Sequence, residues 1–174
     1  MAVYRWMDGI MTKAPLGGKS TGPNPTDRAK SGTKRSLLVE GNGMPIGISV
    51  NGANTHDMKL TEPTLQSFVL ERPKPTPESP QNMCIDKGYD FPEVRQLLEE
   101  WGYTIHIRSR GEKAKKKGQI PGYRSRRWVV ERTHSWMNRF RRLLTRWEKK
   151  EENYLAMLHL ACGWITYHST RLFR

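Results

Sequence analysis

Three acidic residues, Asp8, Asp86 and Glu131, lie far apart in the chain. Such a spacing is expected when separate secondary-structure elements each contribute one ligand to a metal site. Phosphodiester cleavage is served by two divalent ions about 4 Å apart, one activating the attacking oxygen and one stabilising the leaving oxygen. Magnesium prefers hard oxygen ligands, so such a site needs converging carboxylates. We therefore predict that these three residues are catalytic ligands of Mg2+, and that Mn2+ substitutes for it.

Each acid also has a structural interpretation. Strands disfavour Asp, so Asp8 could occupy an edge position that faces solvent. Glu131 lies about 200° around a predicted helix from Val129, at 100° per residue, and therefore faces away from the apolar stripe. Arg127 precedes Glu131 by four residues, so a simple ion pair is the alternative to a metal ligand. The same polar face is predicted to carry His134, Asn138 and Arg142.

The excess positive charge is concentrated in residues 108–150. The chain holds 30 Lys and Arg against 17 Asp and Glu, and residues 108–150 alone hold 16 basic and three acidic side chains. Such segregation is the footprint of a nucleic-acid binder, with a solvated charged face as the alternative. Interleaved aromatic residues favour a folded segment over a basic tail. The predicted nucleic-acid contacts are Lys87, Lys115, Lys116, Lys117, Arg124, Arg126, Arg127, Arg139 and Arg142.

Residues 15–32 are rich in Gly and Pro and are predicted to form a long loop. Basic residues at its edges, among them Lys34 and Arg35, would let this loop reach a phosphate backbone. The alternative is a loop without a functional role.

Other classes of site are not indicated. Cys84 and Cys162 are far apart without ligand-like neighbours, and the five His show no paired spacing, so neither a zinc site nor a disulfide is expected. The start of the chain lacks the blocks of a signal peptide, and the most apolar run, 154–164, is too short to span a bilayer. We expect a cytoplasmic protein with no membrane partner.

Strands are predicted where β-type residues alternate or cluster between turn signals. Their ranges are 3–11, 36–39, 44–50, 82–85 and 103–107. Gly41-Asn42-Gly43 predicts a hairpin between the second and third strands, because Asn and Gly accept positive φ. Asp86 ends a strand that should pair in parallel with the strand of Asp8. The two carboxylates would then meet at one edge of the sheet.

Helices are predicted by apolar spacing. Their ranges are 55–68, 91–101, 125 to about 147, and 151 to about 167. Asn54 and Thr55 are expected to cap the first helix, with Asp57 in its first turn; a functional pair of His56 and Asp57 is the alternative. The last helix is apolar nearly all round and should pack into the core. This order is that of the ribonuclease H-like fold, an α/β arrangement with a mixed five-stranded sheet flanked by helices.

Several separated motifs resemble one known family in the family's order. They are MDGIMTKAPLGG, GPNPTDRAKSGTKRSLLVEGNG, NGANTHDMKL, CIDKGYD and RRWVVERTHSWMNRFRRLLTRWEKK. The chain resembles the DDE transposases of the IS5 type of bacterial insertion sequence over nearly its whole length. The resemblance implies that Asp8, Asp86 and Glu131 are the catalytic triad. Arg127 fits the family's pattern upstream of the Glu, whereas Tyr123 lies one residue farther away, and Asn138 occupies a usually basic position with Arg139 beside it.

The resemblance also implies an activity and partners. It implies metal-dependent cleavage of double-stranded DNA at the element's ends and strand transfer into target DNA, by a nucleoid-associated protein that oligomerises on DNA. Residues 1–174 would be one catalytic domain with a C-terminal helical extension from about residue 125, without the family's N-terminal DNA-recognition region. The alternatives are a catalytically inactive DNA-binding remnant or regulator of a transposon, and a ribonuclease H-like nuclease that cuts without joining.

Overall fold

The computed structural model describes residues 3–68, 71, 73–107 and 128–170. Its strands are β1 (Val3–Lys13), β2 (Gly22–Pro23), β3 (Ser31–Glu40), β4 (Pro45–Gly52), β5 (Gln81–Ile85) and β6 (Tyr103–Ile107). Its helices are α1 (Met58–Gln66), α2 (Pro92–Glu100), α3 (Trp128–Asn138), α4 (Arg141–Leu144) and α5 (Glu151–Thr170). The predicted strands and the helices α1, α2 and α5 lie close to their expected positions.

The strands form one mixed sheet in the order β2-β3-β1-β5-β6, and β4 pairs with β3. β1 is antiparallel to β3 and parallel to β5, which is parallel to β6. The β3–β4 hairpin turns at Gly43, whose φ of 87° is accessible to Gly. This sheet, flanked by helices, confirms the predicted ribonuclease H-like α/β fold. The prediction of five strands was wrong by one, because the two-residue β2 is too short to show an alternating pattern.

Helices cover both faces of the sheet. On one face, Trp6 and Leu37 pack with Val130 of α3 and Leu158 of α5. On the other face, Met7 and Leu38 pack with Tyr89, with Leu65 of α1 and with Leu98 of α2. Adjacent strand residues point to opposite faces, so β1 and β3 each contribute to both cores. We call these the α3/α5 face and the α1/α2 face.

The long helix predicted to reach residue 147 ends at Asn138. The N–H groups of Arg139 and Phe140 donate to carbonyls three residues back, at 3.1 Å in both cases, which tightens the last turn. Phe140 then adopts an extended conformation with ψ of 97°. Phe140 and Leu143 of the periodic apolar spacing still contact the core, whereas Trp147 is 46% exposed.

A buried arginine explains why the chain leaves the helical path. The Arg146 side chain is 1% exposed, and its guanidinium donates to the carbonyls of Lys19 at 2.6 Å, Glu148 at 2.9 Å and Ser20 at 3.0 Å. Its backbone N–H donates to the carbonyl of Lys13 at 2.8 Å. These tertiary hydrogen bonds outweigh the helical preference of residues 139–147.

The last helix is buried on one side only, contrary to the expectation from its composition. Tyr154, Leu158, Ala161 and Ile165 face the sheet. Leu160, Trp164 and Tyr167 are between half and three-quarters exposed. In the described part of the chain, no helix has both the length and the apolar character needed to cross a bilayer.

Candidate active site

Asp8 and Asp86 occupy equivalent positions on two neighbouring parallel strands. Met7 pairs with Ile85, so each Asp is the next residue along its own strand. Parallel strands lie about 4.8 Å apart, which sets the scale of the separation between the two backbones. Alternation from Trp6 and its partner Cys84 directs both Asp side chains to the α3/α5 face. The predicted meeting of the two residues at one edge is therefore reproduced, with both residues half-buried.

The local backbone holds each Asp in place. Oδ1 of Asp8 accepts a hydrogen bond from the N–H of Gly9 at 2.9 Å. Asp86 is extended, with φ of −78° and ψ of 164°, and its carbonyl accepts the N–H of Tyr89 at 3.0 Å. A single 3-10 turn, Lys87–Tyr89, follows. The strand thus delivers the Asp86 carboxylate immediately before the chain turns.

Helix α3 is fixed to the sheet by three hydrogen bonds, two to the β3–β4 hairpin and one to β1. Arg132 donates to the carbonyl of Asn42 at 2.6 Å, and Thr133 donates to that of Gly43 at 2.7 Å. His134 Nε2 lies 3.4 Å from the carbonyl oxygen of Asp8. Glu131 precedes His134 by one turn, a spacing at which Cβ atoms are about 5–6 Å apart. Glu131 is exposed and lies one turn before the histidine that contacts the backbone of Asp8.

The polar stripe predicted to surround Glu131 is partly turned inward. His134 is buried, and burial, aided by the charge of Arg35, lowers its pKa to about 3, so the imidazole is neutral near pH 7. The amide oxygen of Asn138 accepts a hydrogen bond from the guanidinium of Arg35. These two residues therefore attach α3 to the sheet, and the prediction that they ring Glu131 in solvent was wrong.

Arg35 and Lys34 are both buried in β3, so the prediction that they reach a phosphate backbone from a loop was wrong. Arg35 faces the α3/α5 face, where burial lowers its pKa and the nearby Tyr154 counteracts that shift. Arginine keeps its proton in proteins, so a positive charge remains buried on this face. Its strand partner is Ile10, two residues beyond Asp8.

The opposite face holds a carboxylate whose role was misjudged. Asp57 directly precedes α1, but its side chain caps no N–H group of the helix. Oδ1 of Asp57 instead accepts a hydrogen bond from Lys34 Nζ at 2.9 Å. His56 stacks edge-on against Phe91, with ring centroids 5.0 Å apart. The helix begins at Met58 with Asp57 at its N-cap position, so the prediction that Asn54 and Thr55 cap it was wrong. A non-local ion pair with Lys34 takes the place of the alternative His56–Asp57 pair. No signal in the sequence links residues 34 and 57.

Tyr89 connects this carboxylate to the two catalytic candidates. Its side chain is 1% exposed, and burial raises its pKa well above the usual value. The charges of Asp57, Asp8 and Asp86 raise the pKa further, while the Ser36 hydroxyl acts in the opposite direction. Tyr89 is therefore a neutral phenol whose pKa is raised by all three carboxylates. Sequence reasoning did not identify it as part of the site.

Comparison with known proteins agrees with this geometry. The family described as "Transposase DDE domain" matches residues 4–165. The chain belongs to this family of DDE transposases. A relative from Burkholderia cepacia, named "Putative transposase for insertion sequence element IS402", is 34% identical over 164 residues, which cover 93% of this chain and 75% of the relative. The predicted membership in the DDE transposases of insertion sequences is thereby confirmed.

The structure places some of the predicted DNA contacts of this transposase domain. Lys87 is exposed and directly follows Asp86, and Arg139 is exposed just beyond the end of α3. Arg142 is exposed but paired, with its Nε and Nη2 both 2.9 Å from Oε1 of Glu148. Six further candidates lie outside the described residues, namely Lys115, Lys116, Lys117, Arg124, Arg126 and Arg127.

The donor atoms at the sheet edge suit a hard divalent cation, and DDE transposases use divalent metal ions. Asp8 and Asp86 offer carboxylate oxygens from adjacent backbone segments, and magnesium prefers such hard ligands. Burial raises the pKa of Cys84, on the same face, to about 12, so its thiol is protonated and is not a soft metal ligand. Among the described residues, no three His, Cys, Asp or Glu side chains lie close enough to hold one ion. A site shared by all three acids would therefore require the exposed Glu131 side chain to approach the two aspartates.

Proposed function

We propose that this transposase domain cleaves DNA at the ends of an insertion sequence of the IS5 type and joins the freed 3′ ends to target DNA. Asp8, Asp86 and Glu131 are its metal ligands and catalytic residues. The observation that carries the proposal is the equivalent position of Asp8 and Asp86 on paired parallel strands, beneath the helix that bears Glu131. Membership in the DDE transposase family supports it.

The metal in this proposal is Mg2+, with Mn2+ as its substitute. Bound divalent ions supply an activated attacking oxygen and stabilise the charge on the leaving oxygen. Asp8 and Asp86 provide fixed oxygen ligands from the sheet, and Glu131 completes the set from α3. His134 maintains the position of α3 through the backbone of Asp8. A neutral His134 adds no charge that would repel the metal.

DNA is held by positive charge around this edge. Lys87, next to Asp86, is placed to contact a phosphate near the scissile bond, and Arg139 extends the basic surface along α3. The basic residues between 108 and 127, which lie outside the described residues, are proposed to add further phosphate contacts. Joining two element ends requires at least two copies of the chain, so we include a homo-oligomer on DNA in the proposal.

Replacement of Asp86 by Asn tests the proposal directly, because the amide keeps the shape of the side chain and removes its charge. We expect cleavage and strand transfer on labelled element-end DNA to fall by about 1000-fold or more, since metal activation contributes several kcal/mol to the barrier. DNA binding at modest salt should stay nearly intact. Asp90→Asn, which removes an exposed carboxylate paired with Arg95 at 2.7 Å, is the matched control. Unchanged strand transfer by the Asp86 variant would refute its assignment.

A catalytically inactive DNA-binding remnant is the second candidate. It is favoured by the lack, within the described residues, of three metal-binding side chains that share one position. Calorimetric titration with Mn2+ separates the two candidates, because only an assembled site binds the ion tightly. Assays on DNA with pre-nicked ends then separate a transposase from a nuclease, since only the transposase yields joined products.

A further inference from the structure

A single carboxylate lies between the two backbone segments that carry Asp8 and Asp86. A Cβ atom added to Gly9, the residue after Asp8, would lie 2.9 Å from Oδ1 of Asp57. A Cβ atom added to Gly88, two residues after Asp86, would lie 3.5 Å from Oδ2 of the same side chain. One oxygen of Asp57 therefore faces each segment. The first distance is shorter than real Cβ contacts, so a methyl group at position 9 would displace the Asp57 carboxylate or the backbone beside it.

Lys34 holds that carboxylate against the sheet. Its Nζ donates to Oδ1 of Asp57 at 2.9 Å and to the carbonyl of Thr55 at 2.7 Å. The Lys34 side chain is 7% exposed and that of Asp57 is 32% exposed. The ammonium therefore fixes the segment before α1 to β3, with the carboxylate directed toward Gly9.

Tyr89 gives a second, independent indication that this region serves the site. Its hydroxyl lies 3.5 Å from the Cβ position of Gly9. The oxygen is buried, and within the described residues it makes no hydrogen bond of normal geometry. Tyr89 ends the turn that follows Asp86, so this buried polar group belongs to the segment whose position Asp57 would control.

Asp57 is not placed as a direct ligand of the same ions. Gly9 points to the α1/α2 face, whereas Asp8 points to the α3/α5 face, because neighbouring strand residues alternate. Asp57 contacts the Gly9 side, and one of its oxygens is already bound to Lys34. Its position suits a group that orients the metal ligands without binding the metal itself. Loss of such a group typically weakens metal binding about 10- to 100-fold.

We propose that Asp57 is a positioning residue: held by Lys34, its carboxylate sets the spacing between the strand of Asp8 and the turn after Asp86. This inference rests on the proposed function, because the spacing matters only if the two aspartates share metal ions. Metal ligands must be held to within about 0.5 Å of their working geometry, so a small shift of one segment is sufficient to weaken binding.

A double-mutant cycle measured by Mn2+ calorimetry tests the inference. Asp57→Ala should weaken Mn2+ binding about 10- to 100-fold. Gly9→Ala should weaken it by a similar factor, because the added methyl group displaces the Asp57 carboxylate. In the double variant the added methyl group meets only ordinary contacts, so the loss should match that of Asp57→Ala alone. Independent sites add in free energy, so their factors of lost affinity multiply. If the factor lost by the double variant equals the product of the two single factors, the inference is overturned.

Two more variants separate positioning from general damage. Asp57→Asn keeps an oxygen for Lys34 and fills the same space, so it should retain most of the wild-type affinity. Asp27→Ala removes a carboxylate of similar exposure, 26%, from a pair with Lys13 at 3.6 Å and should bind Mn2+ as the wild type does. If Asp57→Ala does not fold, Asp57→Asn and Gly9→Ala still test the inference. We expect Asp57→Asn to keep its affinity for Mn2+ and Gly9→Ala to bind Mn2+ more weakly. Wild-type affinity in Gly9→Ala would overturn the inference.

Asp8→Asn distinguishes failure of this inference from failure of the proposed function. If Asp8→Asn loses Mn2+ binding while Asp57→Ala keeps wild-type affinity, only the positioning role of Asp57 is wrong. If the wild-type chain does not bind Mn2+, or Asp8→Asn binds it equally well, the proposed metal site fails and the positioning role fails with it.

Discussion

Lys34 and Arg35 are adjacent buried cations on β3 whose side chains point to opposite faces of the sheet. On the α1/α2 face, Lys34 meets the carboxylate of Asp57. On the α3/α5 face, in the described part of the chain, Arg35 meets the neutral amide of Asn138 and lies near the hydroxyl of Tyr154. One charge is therefore neutralised by an acid and the other is not.

This difference separates the face of the proposed positioning residue from the face of the proposed metal ligands. The ion pair of Lys34 with Asp57 neutralises the buried ammonium on the α1/α2 face and attaches the segment before α1 to the sheet. Among the described residues, no acid pairs with Arg35 on the face that carries Asp8, Asp86 and α3. An uncompensated cation in a low-dielectric region favours nearby negative charge, including carboxylates and phosphates. It also disfavours a second cation, and so adds to the effect of burial in lowering the pKa of His134.

Arg146 gives the largest expected effect, because it is a second buried arginine on the α3/α5 side that binds neutral acceptors. Arg146→Ala should lower the free energy of unfolding by about 3–5 kcal/mol, since hydrogen bonds from a charged donor contribute about 1.5–3 kcal/mol each and several buried carbonyls lose their donor. Urea denaturation measures the change. Arg141→Ala, at an exposed position, should stay within about 0.5 kcal/mol of the wild type. Equal effects of the two substitutions would contradict the role given to Arg146.

The neutral state of His134 predicts a dependence of stability on pH. Its folded pKa of about 3 lies below the ordinary value of 6.5. Between these values the unfolded chain binds a proton that the folded chain does not, so stability is lost as the pH falls below 6.5. The loss attributable to His134 between pH 7 and pH 5 should be about 2 kcal/mol, at 1.36 kcal/mol per pH unit.

Two variants isolate this contribution in urea titrations at pH 7 and pH 5. His134→Gln cannot take up the proton, so its loss of stability over this interval should be smaller than that of the wild type by about 2 kcal/mol. Arg35→Met removes the charge that helps to lower the pKa of His134 and should reduce the loss partially. An unchanged pH dependence in His134→Gln would show that this histidine is not the responsible group.

Replacing each buried cation with Met sharpens the contrast between the two faces and gives the smallest effect. Lys34→Met should lower the free energy of unfolding by about 1–2 kcal/mol, because it leaves a carboxylate unpaired that water can still partly hydrate. Arg35→Met should change it by less than about 1 kcal/mol, because loss of one hydrogen bond is offset by removal of a buried charge. A larger loss from Arg35→Met than from Lys34→Met, measured by urea denaturation, would reverse the contrast.

The sequence permitted prediction of features that depend on local pattern. The β3–β4 hairpin follows from Gly41-Asn42-Gly43, and β5 follows from a short apolar run bounded by turn residues. The juxtaposition of Asp8 and Asp86 was predictable because both residues follow apolar stretches that pair in parallel. The positions of two members of the candidate triad were therefore accessible without coordinates.

Non-local polar contacts were not predictable from the same patterns. The end of α3 depends on Arg146, whose acceptors include Lys19 and Ser20, more than 120 residues away. The inward orientation of His134 depends on β1, and the partner of Asp57 lies on β3. Helical and strand periodicity records which residues are apolar, but it contains no information about which buried polar groups satisfy one another.

The sharing of metal ions by Asp8, Asp86 and Glu131 is tested most directly by crystals of the chain soaked in Mn2+ and measured for anomalous scattering. We predict a Mn2+ peak at the end of β5, with carboxylate oxygens of all three residues at about 2.1 Å, a typical distance for an octahedral divalent ion. Mn2+ bound only away from Asp8 and Asp86, or Glu131 remaining outside the coordination sphere when the ion is bound, would contradict the proposed site.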